Sequence, residues 1–225
     1  MLATPQIADL MDRLATEYPG AKAPDTKRNR DPFRSVVSCM LSAQSLDRNT
    51  AAAAKALFAL ARTPEGILAL GDDAIRDAIR PCGLYNVKTR NLRAMCRALI
   101  DAYGGTVPTT REGLMSLPGV GRKCADIVLS FTFGAAVVAV DTHVHRVCNR
   151  TGLAEGRTEA KTAESLEARI PDAYRAKGHV LILTHGKRVC RARTPGCGRC
   201  TLNDLCEAFR AGDMADRRGA AVPQS

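Results

Sequence analysis

The stretch Leu117-Pro118-Gly119-Val120-Gly121-Arg122-Lys123 limits the fold more than any other part of the chain. Pro118 cannot continue a helix that precedes it. Two glycines one residue apart then allow positive φ angles that a side chain would penalise. Beyond them Ile127, Val128 and Phe131 recur at helical spacing, and Gly134 supplies a stop. The pattern predicts helix, tight Gly-x-Gly hairpin, helix. The amides of Gly119, Val120 and Gly121 and the positive end of the second helix dipole would point the same way, an anion site suited to phosphate. Arg122 and Lys123 open that second helix. A lysine there either grips phosphate or, as a neutral amine, acts as a nucleophile.

Nearly every other segment also has helical period, and none alternates over strand length, so the expected class is all-α. Phe33, Val36, Val37, Met40 and Leu41 fall on one helix face. Helices are expected over 5–18, 48–61 (capped by Asp47), 64–70, 73–80 (capped by Asp72 or Asp73), 87–103, 142–150, 159–169 and 172–185. Thr109 and Glu112 read as a capping box for the short helix leading into the hairpin. Residues 22–30 read as a linker, and 211–225 as a disordered tail. No apolar run approaches membrane-spanning length. An excess of 33 basic over 23 acidic residues, net +10, favours a polyanionic partner. Two acid-free groups carry much of it: Lys88, Arg90, Arg93 and Arg97 on one helix, and Lys187, Arg188, Arg191, Arg193 and Arg199 further on. Aromatic content of 4% is too low for a single-strand stacking platform, so duplex backbone binding fits better. A cytoplasmic monomer is expected, nucleoid-associated in a bacterium.

Two further features carry chemistry. Asp141 stands where it would N-cap helix 142–150, and an N-capping carboxylate is held rigidly by amide N–H groups. With Lys123 it makes a pair suited to breaking an N-glycosidic bond: the carboxylate stabilises positive charge on the sugar while the amine attacks the anomeric carbon. Nine cysteines is an odd number, and Cys190-x6-Cys197-x2-Cys200-x5-Cys206 gathers four of them within seventeen residues. That is a metal site rather than a disulfide framework, and spacing alone leaves zinc and an iron–sulfur cluster both open. His185 is a rival ligand. Cys39, Cys82, Cys96, Cys124 and Cys148 read as small core residues.

In combination, the hairpin, Val140-Asp141-Thr142-His143 and the cysteine spacing resemble the endonuclease III family of helix-hairpin-helix DNA glycosylases, over roughly residues 30 to 206. The resemblance implies a base-excision glycosylase that flips oxidised pyrimidines out of damaged duplex DNA, with abasic-site lyase activity. It implies Lys123 as Schiff-base nucleophile, Asp141 as the essential carboxylate, and a [4Fe–4S] cluster on Cys190, Cys197, Cys200 and Cys206. Gln44 resembles the family's inserting glutamine and Leu84 its wedge on the other strand. Arg191 and Arg193, inside the cluster loop, would meet phosphates, and His143 would pack or contact phosphate. Two departures stand out: Cys124 replaces the usual threonine after the lysine, and Ser45-Leu46 follows the glutamine. The expected architecture is two helical domains flanking a DNA groove, one over 25–134 and the other joining 1–24 to 135–211. Lys123 and Asp141 would then line opposite walls. A monofunctional mismatch glycosylase of the same superfamily and a non-catalytic DNA-binding module are the alternatives; adenine-mismatch members lack a lysine at the hairpin position.

Overall fold

Helix α1 (Thr4–Glu17) places Ile7, Leu10, Met11 and Leu14 on one buried stripe, with Pro5 in its first turn. It is the first element of a computed structural model that describes residues 1–21 and 31–213. Among those residues the chain is helical, with no strand. The expected linker over 22–30 and the tail from 214 onward lie outside the described residues. The chain divides into two units, Met1–Pro24 with Ala136–Ser225, and Asp25–Ala135.

The Asp25–Ala135 unit begins with α2 (Pro32–Leu41), capped by Asp31 accepting from Arg34 N at 2.9 Å. Its buried face is Phe33, Val36, Val37, Met40 and Leu41, as the periodicity requires. There follow α3 (Asp47–Leu60), α4 (Pro64–Ala69), α5 (Asp72–Ile79), a 3₁₀ turn (Arg80–Cys82), α6 (Tyr85–Tyr103), α7 (Arg111–Met115) and α8 (Arg122–Thr132). Several ends differ from expectation by a residue or two. Asp47 is the first residue of α3 rather than its cap, which is Leu46. Gly71 precedes α5, so Asp72 and Asp73 lie inside its first turn, where both carboxylates meet Arg76. The cap of α7 is Thr110, whose hydroxyl accepts from Gly113 N at 3.1 Å, and not Thr109. α2 packs on α8 and α3, while α6 packs on α4 and α5.

The other unit gathers α1 with α9 (Thr142–Thr151), α10 (Glu159–Arg169), α11 (Asp172–Arg188), a 3₁₀ turn (Cys197–Arg199) and α12 (Glu207–Arg210). Leu10, Met11 and Leu14 of α1 share a core with Val144, Val147, Leu166, Leu181 and Ile182. Burying each such side chain is worth about 1.5–3 kcal/mol, enough to hold α1 against elements more than 120 residues away. Leu2 N also bonds Gly152 O at 2.8 Å, where α9 ends on a left-handed glycine.

Candidate functional site

The hairpin between α7 and α8 is built from inside out. Leu117 and Val120 are buried, and Val120 N closes the turn on Leu117 O at 3.0 Å. Gly119 has φ +82, and a Cβ there would lie 3.1 Å from both Asn91 Cβ and Met40 Cγ. Gly121 differs from the expectation of positive φ: it is extended (φ −93), because it is the N-cap of α8. A Cβ on it would meet nothing within 4 Å, so its hydrogen keeps the backbone open to solvent instead of relieving strain. α8 starts without a side-chain cap of the kind that Asp31, Thr63, Thr110, Asp141 and Thr158 give their helices. An anion fits that position.

Lys123 sits exposed on this first turn. Three residues on, Asp126, 1% exposed, accepts from Arg111 Nε at 2.7 Å and is ion-paired with Arg122, Nε to Oδ2 at 3.5 Å. Arg122, read from the sequence as a DNA contact, therefore also braces the hairpin from within. Cys124 and Cys39 form a thiol pair under the same turn. Cys39 Sγ donates to Cys124 O at 3.9 Å. The neighbouring Cys124 thiol and the Lys123 cation pull the Cys39 thiol below the usual range, while Cys124 is pushed up by Cys39 and by burial.

Gln44 and Leu84 both occupy loops after helical segments, both are exposed, and both are left-handed, with φ 51 and 48. Among the described residues they are the non-glycine positions with positive φ. Holding a branched side chain such as Leu84 so costs on the order of 1–2 kcal/mol. The acid-free group Lys88, Arg90, Arg93 and Arg97 counts toward a polyanionic partner in the sequence, and the structure takes Lys88 out of it. Lys88 is 4% exposed and bonds Leu41 O at 2.8 Å and Cys82 O at 3.0 Å. Arg93 likewise turns inward to Leu70 O and Asp72, at 2.8 and 3.3 Å.

In the other unit Asp141 caps α9 as the sequence indicates. Oδ1 accepts from both His143 N (2.9 Å) and Val144 N (2.8 Å), which leaves Oδ2 outside the cap. His143 Nδ1 lies 3.1 Å from Arg146 Nη2. His145 is structural, with Nδ1 at 2.8 Å from Thr162 Oγ1.

Cys190, Cys197, Cys200 and Cys206 line one cavity together with Arg150 and His185. Four cysteines on one cavity are a donor set that zinc or an iron–sulfur cluster would each take. Their surroundings suit thiolate ligands. Arg150 Nη1 lies 3.5 Å from Cys190 Sγ and donates to Arg191 O, its Nη2 donates to Ala192 O, and Arg146 Nε donates to Cys190 O. His185, the rival ligand, lines the same cavity. Tyr18 OH lies 3.1 Å from its Nδ1, and its Nε2 is 3.5 Å from Cys200 Sγ. Burial pulls its pKa down to about 4, so it is a neutral ring that can turn one N–H to sulfur. Arg191 and Arg193 are exposed on the loop that these bonds fix.

Residues 37–172 match the family model described as HhH-GPD superfamily base excision DNA repair protein. Endonuclease III of Haemophilus influenzae is 40% identical over 200 residues, 88% of this chain and 93% of that protein. Endonuclease III of Escherichia coli K12 is 39% identical over the same shares. A trapped endonuclease III–DNA covalent intermediate in an estranged-adenine complex superposes with TM-score 0.84 at 36% identity, over 94% of this chain and 99% of that one. The chain belongs to the HhH-GPD superfamily of base excision DNA repair proteins.

Proposed function

We propose that the protein is a bifunctional DNA glycosylase and abasic-site lyase acting on oxidised pyrimidines in duplex DNA. The observation that carries this reading is the exposed amine of Lys123 on an uncapped helix start, behind a glycine that leaves the backbone open. The hairpin amides hold a phosphate of the damaged strand, and Gln44 and Leu84 fill the stack vacated by the flipped nucleotide. Asp141 then stabilises positive charge developing at the anomeric carbon through the oxygen its cap leaves over. The amine of Lys123, having given up a proton, attacks that carbon, and the glycosidic electron pair departs with the base, which takes up a proton. Opening of the sugar ring gives an imine. Loss of a C2′ proton from the imine expels the 3′ phosphate by β-elimination, and water finally releases the lysine.

Cys190, Cys197, Cys200 and Cys206 would hold a [4Fe–4S] cluster, which when bound pins the loop so that Arg191 and Arg193 meet phosphates and has no redox part in the reaction. Support comes from the shared cavity, from the N–H groups around its sulfurs and from the likeness to endonuclease III.

Borohydride trapping on duplex DNA containing an abasic site tests the assignment. The protein should yield a covalent adduct that disappears in Lys123→Gln. Base release without adduct would favour a monofunctional glycosylase, and neither would favour a DNA-binding module. As purified the protein should be yellow-brown, whereas a colourless zinc-containing preparation overturns the cluster.

A further inference from the structure

Lys88 is buried, and among the described residues its side chain bonds backbone carbonyls rather than carboxylates. Its Nζ donates to Leu41 O at 2.8 Å and to Cys82 O at 3.0 Å, and its backbone N–H donates to Leu84 O at 2.9 Å. Leu41 is the last residue of α2, and Cys82 is the last of the 3₁₀ turn. Carbonyls at such ends have no partner within their own helix, so one ammonium closes two helical segments at once. Three residues beyond Leu41 comes Gln44, and two beyond Cys82 comes Leu84, the pair of non-glycine residues with left-handed backbone. A side chain in that region persists only where its surroundings hold it. Here those surroundings converge on one atom. The loops are 40 residues apart in sequence, and Lys88 Nζ bonds the helical segment that leads into each of them.

We infer that Lys88 is a positioning residue that couples the Gln44 loop to the Leu84 loop, so that both enter the duplex as one rigid unit. The inference rests on the reading of Gln44 and Leu84 as the residues that replace the flipped nucleotide in the stack. Lys88 is sealed from solvent and does not touch DNA or the reacting sugar. Its loss should therefore act on base eversion before it acts on chemistry.

The test uses the iron–sulfur-loaded, full-length protein under single-turnover conditions. Its substrates are a duplex carrying an oxidised pyrimidine beside 2-aminopurine and a duplex carrying a preformed abasic site. Lys88→Met should slow base release by about 100-fold, the scale of a 1 Å misplacement. It should also remove the 2-aminopurine rise that reports unstacking, and slow cleavage of the abasic duplex far less. Lys88→Arg, which keeps the donors, should recover part of the unstacking signal. An equal loss on both duplexes, or no loss, overturns the inference. Should Lys88→Met fail to fold, the cycle of Gln44→Ala, Leu84→Ala and the double variant decides in the native Lys88 background. Coupled loops give non-additive losses in base release, whereas additive losses overturn the coupling and leave the wedge reading standing. If neither single variant slows base release, the wedge reading itself falls, and the inference falls with it.

Discussion

Asp141 caps α9, and the proposed mechanism gives its carboxylate a second duty that can be parted from the first. As a cap it serves through Oδ1 alone, accepting from His143 N and Val144 N. Asparagine caps as well as aspartate, while alanine loses about 0.5–2 kcal/mol. Asp141→Asn should therefore melt close to the parent and yet lose most of its trapped adduct, whereas Asp141→Ala should lose both. Thermal melting and borohydride trapping on the same preparations check this, and an Asp141→Asn enzyme at full rate would remove the charge from the mechanism. The thiols make a second contrast at this scale. Cys96 is pushed up to about 12 and Cys148 is also raised, both by burial, so each stays a protonated core thiol. Cys39 is half-buried and lowered by the neighbouring Cys124 thiol and by the Lys123 cation. Thiolate is the reactive form, so iodoacetamide at neutral pH should label Cys39 before any other cysteine outside the cluster loop, as peptide mass spectrometry would read. Earlier labelling of Cys96 or Cys148 would contradict the burial that raises them.

Among the elements, the α7–α8 hairpin separates two reasons for a glycine. At Gly119 the backbone is left-handed and the space is taken, so Gly119→Ala should destabilise by more than about 1 kcal/mol. At Gly121 the backbone is ordinary and the space is open. Gly121→Ala should shift the melting temperature little, since its restriction of the unfolded chain, about 0.4–1 kcal/mol, is set against alanine's poorer fit to the N-cap of α8. The same methyl would stand before the uncapped amides of α8 and should weaken duplex binding, measured by fluorescence anisotropy. Unchanged affinity in Gly121→Ala would displace phosphate from this turn. The sequence displays the two glycines alike, which is why both read as positive φ. Amphipathic periodicity was sufficient to locate α1, α2, α6, α8 and α9, because that signal repeats over several turns. Caps were less readable where rival cappers adjoin, as with Thr109 and Thr110, or where the cap has no side-chain acceptor, as with Leu46 and Gly71. Lys88 was misread for a different reason. A lysine on a helix normally faces water, and what buries this one is the end of α2, 47 residues earlier in the chain.

The two units of the molecule are joined differently by their sequences, and this sets what loss of the metal site should do. Asp25–Ala135 is one continuous stretch whose helices close on themselves, and the candidate metal ligands are not in it. The other unit is assembled from both ends of the chain. Its cysteine loop is bound to α9 through Arg146 and Arg150, to α11 through His185, and to α1 through Arg13, which meets Asp204 Oδ1 at 2.7 Å and Thr201 O at 3.0 Å. The Arg13 ion pair is exposed and worth at most about 1 kcal/mol. With weak peripheral ties and four thiols around a shared cavity, the cluster would be the loop's chief constraint. Oxidative removal of the iron should therefore raise amide hydrogen exchange across 189–210 first, then in α9 and the end of α11, while α6 and α8 keep their protection. Borohydride trapping on a preformed abasic site, measured on the same sample, should fall mainly through weaker DNA binding, with the loss recovered at high enzyme concentration. Deprotection spread evenly over both units would mean that the metal site supports the whole fold, and the division of labour argued for Arg191 and Arg193 would fail with it.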